Sequence, residues 1–236
     1  MQVQVSSPAC KPLYQHPKVG LKLQSATRVC RASTKEATKP ADACIELLRR
    51  GAKTPGEIPA HTLLKSIIEL EKAKLPADPS WQSTLTAPGT RWRLIYTAGS
   101  KDVQTASKGD RGKAGQFFPL NAVQKFEDGI FENGVFLGPV ASLTFKGPFT
   151  MSGKRLTFDV DTMCIGLGPL RLPIPLKESK PIEQRDPKEQ KGLPFFLYAY
   201  LDEDIIVGRG RSGGLALWQK ADAEWLAQAG VLQVYK

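Results

Sequence analysis

At 236 residues, 41% apolar and 24% charged, the chain is ample for one domain with a sizeable core and short for two. No apolar run approaches the roughly 18 residues of a membrane-spanning helix, so any contact with lipid is expected to be peripheral. The formal net charge of +10 would draw an anionic partner, but five of the cations sit in one unusual leader.

That leader, residues 1–33, carries Lys11, Lys18, Lys22, Arg28 and Arg31 among Ser6, Ser7, Ser25 and Thr27, and the first acidic residue of the chain is Glu36. A basic, hydroxyl-rich, acid-free start without a continuous apolar stretch reads as an organelle transit peptide rather than a secretory signal. Val29-Cys30-Arg31-Ala32-Ser33 suits its processing; a merely disordered basic tail shares the same composition. Taking those five cations away leaves +5. With no aromatic residues spread through a basic face, nucleic-acid binding is not expected.

Lys39 to Arg50 places Ile45, Leu47 and Leu48 on one face, which predicts a short amphipathic helix ended by Gly51. After the break at Thr54-Pro-Gly-Glu-Ile-Pro59, Leu64, Ile67, Ile68 and Glu71 keep the spacing of a second helix over 60–74, stopped by Pro76. From Trp92 the pattern changes to period two: Trp92, Leu94 and Tyr96, then Ala141, Leu143 and Phe145, then Leu156, Phe158 and Val160. Arg155, Thr157, Asp159 and Asp161 form the wet face of that last strand, so the two aspartates read as solvated carboxylates rather than an acid/base pair. Gly129, Gly134, Gly138, Gly147 and Gly153 punctuate an antiparallel meander. Gly99–Gly115 and Lys177–Lys191 read as mobile loops. Phe195 to Leu201 is apolar on both faces, which suits a strand lining a cavity inside and covered outside. An acidic turn (Asp202, Glu203, Asp204), a strand Ile205–Val207, a Gly/Arg hairpin and a strand Leu215–Trp218 follow. A short helix over 221–229 closes the pattern, with Trp225 and Leu226 inward.

Material for catalysis is scarce. There is no G-x-S-x-G elbow, His16 lies in the leader and His61 stands alone. Cys10, Cys30, Cys44 and Cys164 have no metal-ligand spacing; the first two lie in the leader, and Cys44 and Cys164 read as free buried thiols, a disulfide between them requiring the helical segment to fold back on the barrel. Gly208-Arg-Gly-Arg-Ser-Gly-Gly214 is neither a P-loop nor a repeated RGG tract. No enzyme activity, catalytic residue, metal or cofactor is expected.

The order Tyr200-Leu-Asp-Glu-Asp204, Arg209-Gly210, Gly213 and Leu215 resembles the closing hairpin of the plastid lipid-associated protein (fibrillin) family. Gly89-Thr-Arg-Trp92-Arg-Leu-Ile-Tyr96-Thr97 resembles that family's opening strand, and Leu70-Glu71 with Pro76 its helical preface. Two residues separate Gly89 from Trp92, where the lipocalin signature has one. The resemblance implies a mainly β fold: an antiparallel lipocalin-like β-barrel over 90–220 with a helical preface over 40–75 and a short C-terminal helix over 221–229, the whole domain spanning 40–229. It implies a chloroplast location, at thylakoid membranes or plastoglobules, and binding of a quinone, carotenoid or other lipid without catalysis.

It also implies roles for single residues. Trp92 would plug one end of the barrel under Arg209, or its rival Arg211, with Gly89 and Gly210 completing the closure motif. Tyr96, Leu143, Phe145, Leu156, Phe158 and Leu197, with Ala199, would face the interior. Asp204 or Asp202 would meet the polar end of a ligand, the plainer reading being a hydrogen-bonded turn. An eight-stranded barrel either fills with side chains or holds one small ligand, so a filled structural coat of lipid bodies stands as the alternative. The pattern leaves oligomeric state open.

Overall fold

The computed structural model describes residues 38–110 and 112–235, so the leader and its expected cleavage region lie outside the described residues. Two helices come first, α1 (Thr38–Lys53) and α2 (Ala60–Lys72). Gly51 lies inside α1 instead of ending it: a Cβ there would stand 2.5 Å from Leu63 Cδ2, so the glycine lets the helices touch. A single turn of helix, α3 (Trp81–Leu85), leads to the sheet.

The strands run β1 (Trp92–Ala98), β2 (Gln116–Phe117), β3 (Asn121–Glu127), β4 (Ile130–Leu137), β5 (Ala141–Ser152), β6 (Arg155–Phe158), β7 (Thr162–Leu167), β8 (Leu170–Pro175), β9 (Phe195–Leu201), β10 (Ile205–Gly210) and β11 (Leu215–Lys220). All pairings are antiparallel. The order β4-β3-β1-β11-β10-β9-β6-β5, closed by β4 against β5, makes an eight-stranded barrel. This is the mainly β, antiparallel barrel with helical preface that the sequence predicts. Gly129, Gly138 and Gly153 do occupy turns, with φ of 74°, 59° and 55°. Gly134 instead lies mid-strand under Phe136 and Tyr235.

Strand β5 is long enough to serve two neighbours. Its second half pairs with β6 and its first half with β7, which carries β8 out beyond the ring as a flap. The free edge of β8 holds Pro173 and Pro175, which have no N–H to offer another strand. Between β6 and β7 the chain turns a corner over Gly147, with Asp159 N donating to Pro148 O (2.9 Å) and Asp161 N to Lys146 O (3.0 Å).

That corner corrects two expectations. β6 stops at Phe158, so Asp159 and Asp161 are buried rather than on a wet face. Lys177 Nζ lies 2.6 Å from Asp159 Oδ1, and Arg185 Nη1 lies 2.5 Å from Oδ2 as an ion pair rather than an aligned hydrogen bond. The second correction is that 177–191 is tied down: Ile182 is buried, Arg185 reaches the corner, and α5 (Pro187–Gly192) is capped by Asp186. Likewise 99–115 contains a helix, α4 (Ser100–Ser107), anchored by buried Val103.

The outer side of β1, β10 and β11 is covered by α1, α2 and α4, which bury Leu48, Leu63, Ile67 and Leu70 against Ile95, Val207 and Leu217. On the outer side of β3 and β4, α6 (Ala223–Gln228) and the turn after it pack Leu226, Val231 and Tyr235 against Val123 and Phe136. Leu226 is buried, and Trp225 lies half-buried under the Arg93 guanidinium, 5.0 Å from its ring centre. No helix of the described residues is long and apolar enough to cross a membrane.

Candidate functional site

One end of the barrel is closed by aromatic side chains. Trp92 is fully buried, with Trp81 and Leu85 of α3 beneath it, and its Nε1 donates to Leu85 O at 3.3 Å. Above it runs a chain of ring contacts: Phe126–Phe131 (5.3 Å between centres), Phe131–Phe158 (4.5 Å), Phe158–Phe196 (5.2 Å) and Phe196–Trp218 (5.3 Å). These tilted, stacked and edge-on pairs fill the interior at this end and leave Leu156 completely buried among them.

The cation expected over Trp92 is elsewhere. Arg209 lies opposite Leu215, on the outer side, and holds Glu71 of α2 through Nε to Oε1 (2.9 Å) and Nη2 to Oε2 (2.6 Å). Its Nη1 donates to Gly213 O at 2.7 Å within the hairpin. Arg211 binds the Gly192 and Leu193 carbonyls. Gly89 adopts φ 76° in the turn before β1, its N–H donating to Glu127 Oε1 at 3.2 Å, and Gly210 pairs with Phe196.

Four further site residues lie elsewhere than expected. A bulge between Leu94 and Tyr96 reverses the alternation of β1, so Tyr96 turns outward under the helices and donates to the Ala114 carbonyl. In β9 it is Phe196 and Tyr198 that point inward; Leu197 stands opposite Arg155 and Arg209 on the outside and is exposed, and Ala199 packs against the helical layer. A strand apolar on both faces gives the sequence no way to choose between them. Asp204 is an exposed turn residue whose carboxylate lies 3.7 Å from Arg49 Nε.

Asp202 does the work of that turn. It accepts from the N–H groups of Asp204 and Ile205 (both 2.8 Å), from the Tyr200 hydroxyl (2.8 Å) and from Arg49 of α1. Burial raises its pKa, but these donors outweigh burial and hold it below the usual carboxylate range. Burial and the neighbouring carboxylate push the Tyr200 phenol up to about 12.

The inward face changes character on the far side of the barrel. Val135, Leu143, Ile165 and Leu172 lie in register across β4, β5, β7 and β8, and Asn133, Phe145, Met163 and Ile174 form the next row. The interior surface therefore runs on, without a break, onto the flap. Leu143 and Ile165 are each 37% exposed, and Leu172 more so. Of the expected interior residues, Leu156 and Phe158 belong to the filled end, and Leu143 and Phe145 to this open wall. The wall partners on β7 and β8 escaped the sequence reading, although Met163, Ile165 and Leu167 alternate as cleanly as the strands it did recognise.

Among the described residues, two polar groups buried inside the barrel, the Tyr198 hydroxyl and Trp218 Nε1, have no hydrogen-bond partner. A Cβ on Gly208 would meet Tyr198 Cδ1 at 2.9 Å and Trp218 Cζ3 at 3.5 Å, so the glycine gives the two rings room. Burial raises the Tyr198 pKa well above the ordinary phenol value, keeping its proton in place as a donor. Among the described residues no three His, Cys, Asp or Glu side chains could hold a metal ion, and Cys44 and Cys164 are free and half-buried.

No family model matches the chain, and no curated protein matches it. Among similar solved structures is a lipocalin-like protein from Bacteroides uniformis, 13% identical, with a TM-score of 0.35 over 58% of this chain and 99% of that one. Another is an uncharacterized protein from Bacteroides eggerthii, 11% identical, with a TM-score of 0.35 over 56% of this chain and 97% of that one. At these values neither adds to the fold that the strand pairing itself establishes, and neither carries a function to this chain.

Proposed function

We propose that this protein holds apolar small molecules, without catalysis, against the open wall of its barrel. The supporting observation is the row Val135–Leu143–Ile165–Leu172, an inward-facing apolar surface that stays exposed where the barrel gives way to the flap. Apolar area of this kind favours a guest at about 25 cal/mol per Å² covered. With the sequence resemblance to the fibrillin family, this reading extends to a quinone, carotenoid or other lipid as guest. It extends equally to a plastid location, with peripheral attachment to thylakoid membranes or plastoglobules.

The aromatic filling around Trp92 favours a second reading, a structural coat of lipid bodies that takes no guest. Titration of a short-chain quinone into the protein, followed by tryptophan emission, separates the two. Saturable binding that weakens about tenfold or more in Leu143→Asp, with the fold intact, is expected of the holder. No saturation in the wild type sinks the holder and leaves the coat.

A further inference from the structure

The β4–β5 turn of the barrel and the β7–β8 turn of the flap are neighbours with nearly the same sequence, Leu137-Gly138-Pro139-Val140 and Leu167-Gly168-Pro169-Leu170. Their glycines take φ of 59° and 54°, and Gly168 N donates to Val140 O at 2.7 Å, which ties one turn to the other. Both therefore project together. Their side chains find no cover: Leu137 is 59% exposed, Val140 70%, Leu167 59% and Leu170 64%, and Pro139 and Pro169 are exposed as well. Large apolar residues gathered at a projecting tip mark a surface with a partner.

The structure assigns these twin turns, we infer, as prongs that enter the interfacial layer of an anionic lipid surface. The inference rests on the reading above and names where that protein would meet lipid. Charge favours this occupant: the strand stretches beside the prongs, 133–146 and 162–176, contain Lys146 and Arg171 and no Asp or Glu. Arg171 stands directly behind the prongs, its Nη1 on the Gly168 and Leu170 carbonyls at 2.6 and 3.0 Å. A second copy joined edge to edge is disfavoured, because Pro173 and Pro175 blunt the free strand beside the prongs. Two convex tips also suit a soft layer that closes around them better than a preformed pocket. Docked this way, the open wall behind the prongs would face the lipid from which an apolar guest comes.

Co-flotation of the full chain with vesicles tests this, using phosphatidylcholine alone and phosphatidylcholine mixed with phosphatidylglycerol. The wild type is expected to float with the mixed vesicles, less so at high salt. Val140→Asp and Leu170→Asp are each expected to lower partitioning about tenfold or more, since burying one such side chain in hydrocarbon accounts for that factor. Leu197→Asp, exposed on the opposite side of the sheet, should float like the wild type, and thermal unfolding checks that every variant folds. Undiminished flotation of the folded prong variants overturns the inference. So does failure of the wild type to float, with or without a dimer that the prong variants disrupt. Quinone titration without vesicles keeps the two proposals apart: quinone binding without flotation removes only the prongs, and flotation without quinone binding removes only the guest.

Discussion

Arg209 grips Glu71 with two roughly parallel hydrogen bonds, so the closing hairpin is fastened to α2 on the outside of the barrel and not to Trp92 inside it. The pair is partly buried, with side chains 33% and 20% exposed. A lysine cannot make both contacts. Arg209→Lys is expected to cost about 1–2 kcal/mol in urea unfolding. Tryptophan emission in the native state should not move; a clear shift would return the guanidinium to Trp92.

Asp159 neutralises Arg185, whose side chain is only 9% exposed, and Lys177 shares the carboxylate. Removing the acid leaves a largely buried cation without its counter-charge, held only by its Nε and Nη2 hydrogen bonds to the Lys180 carbonyl. Asp159→Ala is expected to destabilise by about 3 kcal/mol or more, and to make 177–191 more susceptible to limited proteolysis. Unchanged stability would mean that the corner does not depend on the ion pair.

Gly147 sits beneath the same corner. A Cβ there would lie against the Asp159 carbonyl, 3.0 Å from its carbon and 3.1 Å from Asp161 N, and backbone cannot swing aside as a side chain can. Gly147→Ala should therefore cost about 1–3 kcal/mol, read from the denaturant midpoint. A stabilised variant would show that β6 and β7 are joined differently.

The Asp202 carboxylate is held below its ordinary pKa in the folded state despite burial, by backbone N–H groups, Tyr200 and Arg49. A depressed folded pKa contributes stability in full above the unfolded value of about 3.9. That contribution fades as pH falls from there through the folded pKa. Asp202→Asn should lower stability at neutral pH and flatten the acid limb of the stability curve relative to wild type. Parallel acid limbs would exclude Asp202 as a source of the dependence.

The period-two stretches from Trp92 onward were readable because one side of each strand is dry. Side-chain direction was readable only as far as the first bulge. The extra residue at Ile95 carries no compositional mark, yet it sends Tyr96 outward, and the irregularity between Val207 and Gly208 adds to the ambiguity of β9. Asp159 looked wet because alternation was followed past the point where β6 ends at Phe158. The flap face was hidden for a different reason. Apolar alternation in β7 and β8 signals burial against something, and only the structure shows that Ile165 and Leu172 stay 37% and 56% exposed. The helices over 99–115 and 177–191 were lost because single apolar anchors, Val103 and Ile182, hold otherwise polar segments.

The ring is completed by β11, whose Lys220 meets Trp92 of β1 across nearly the whole barrel sequence. A ribosome delivers β1 early and its partner almost last, and such distant pairing is slow to find. Through that interval Phe126, Phe131 and Phe196 have no finished core to enter, so a chain cut short before Leu215 would be sticky and a natural client for chaperones.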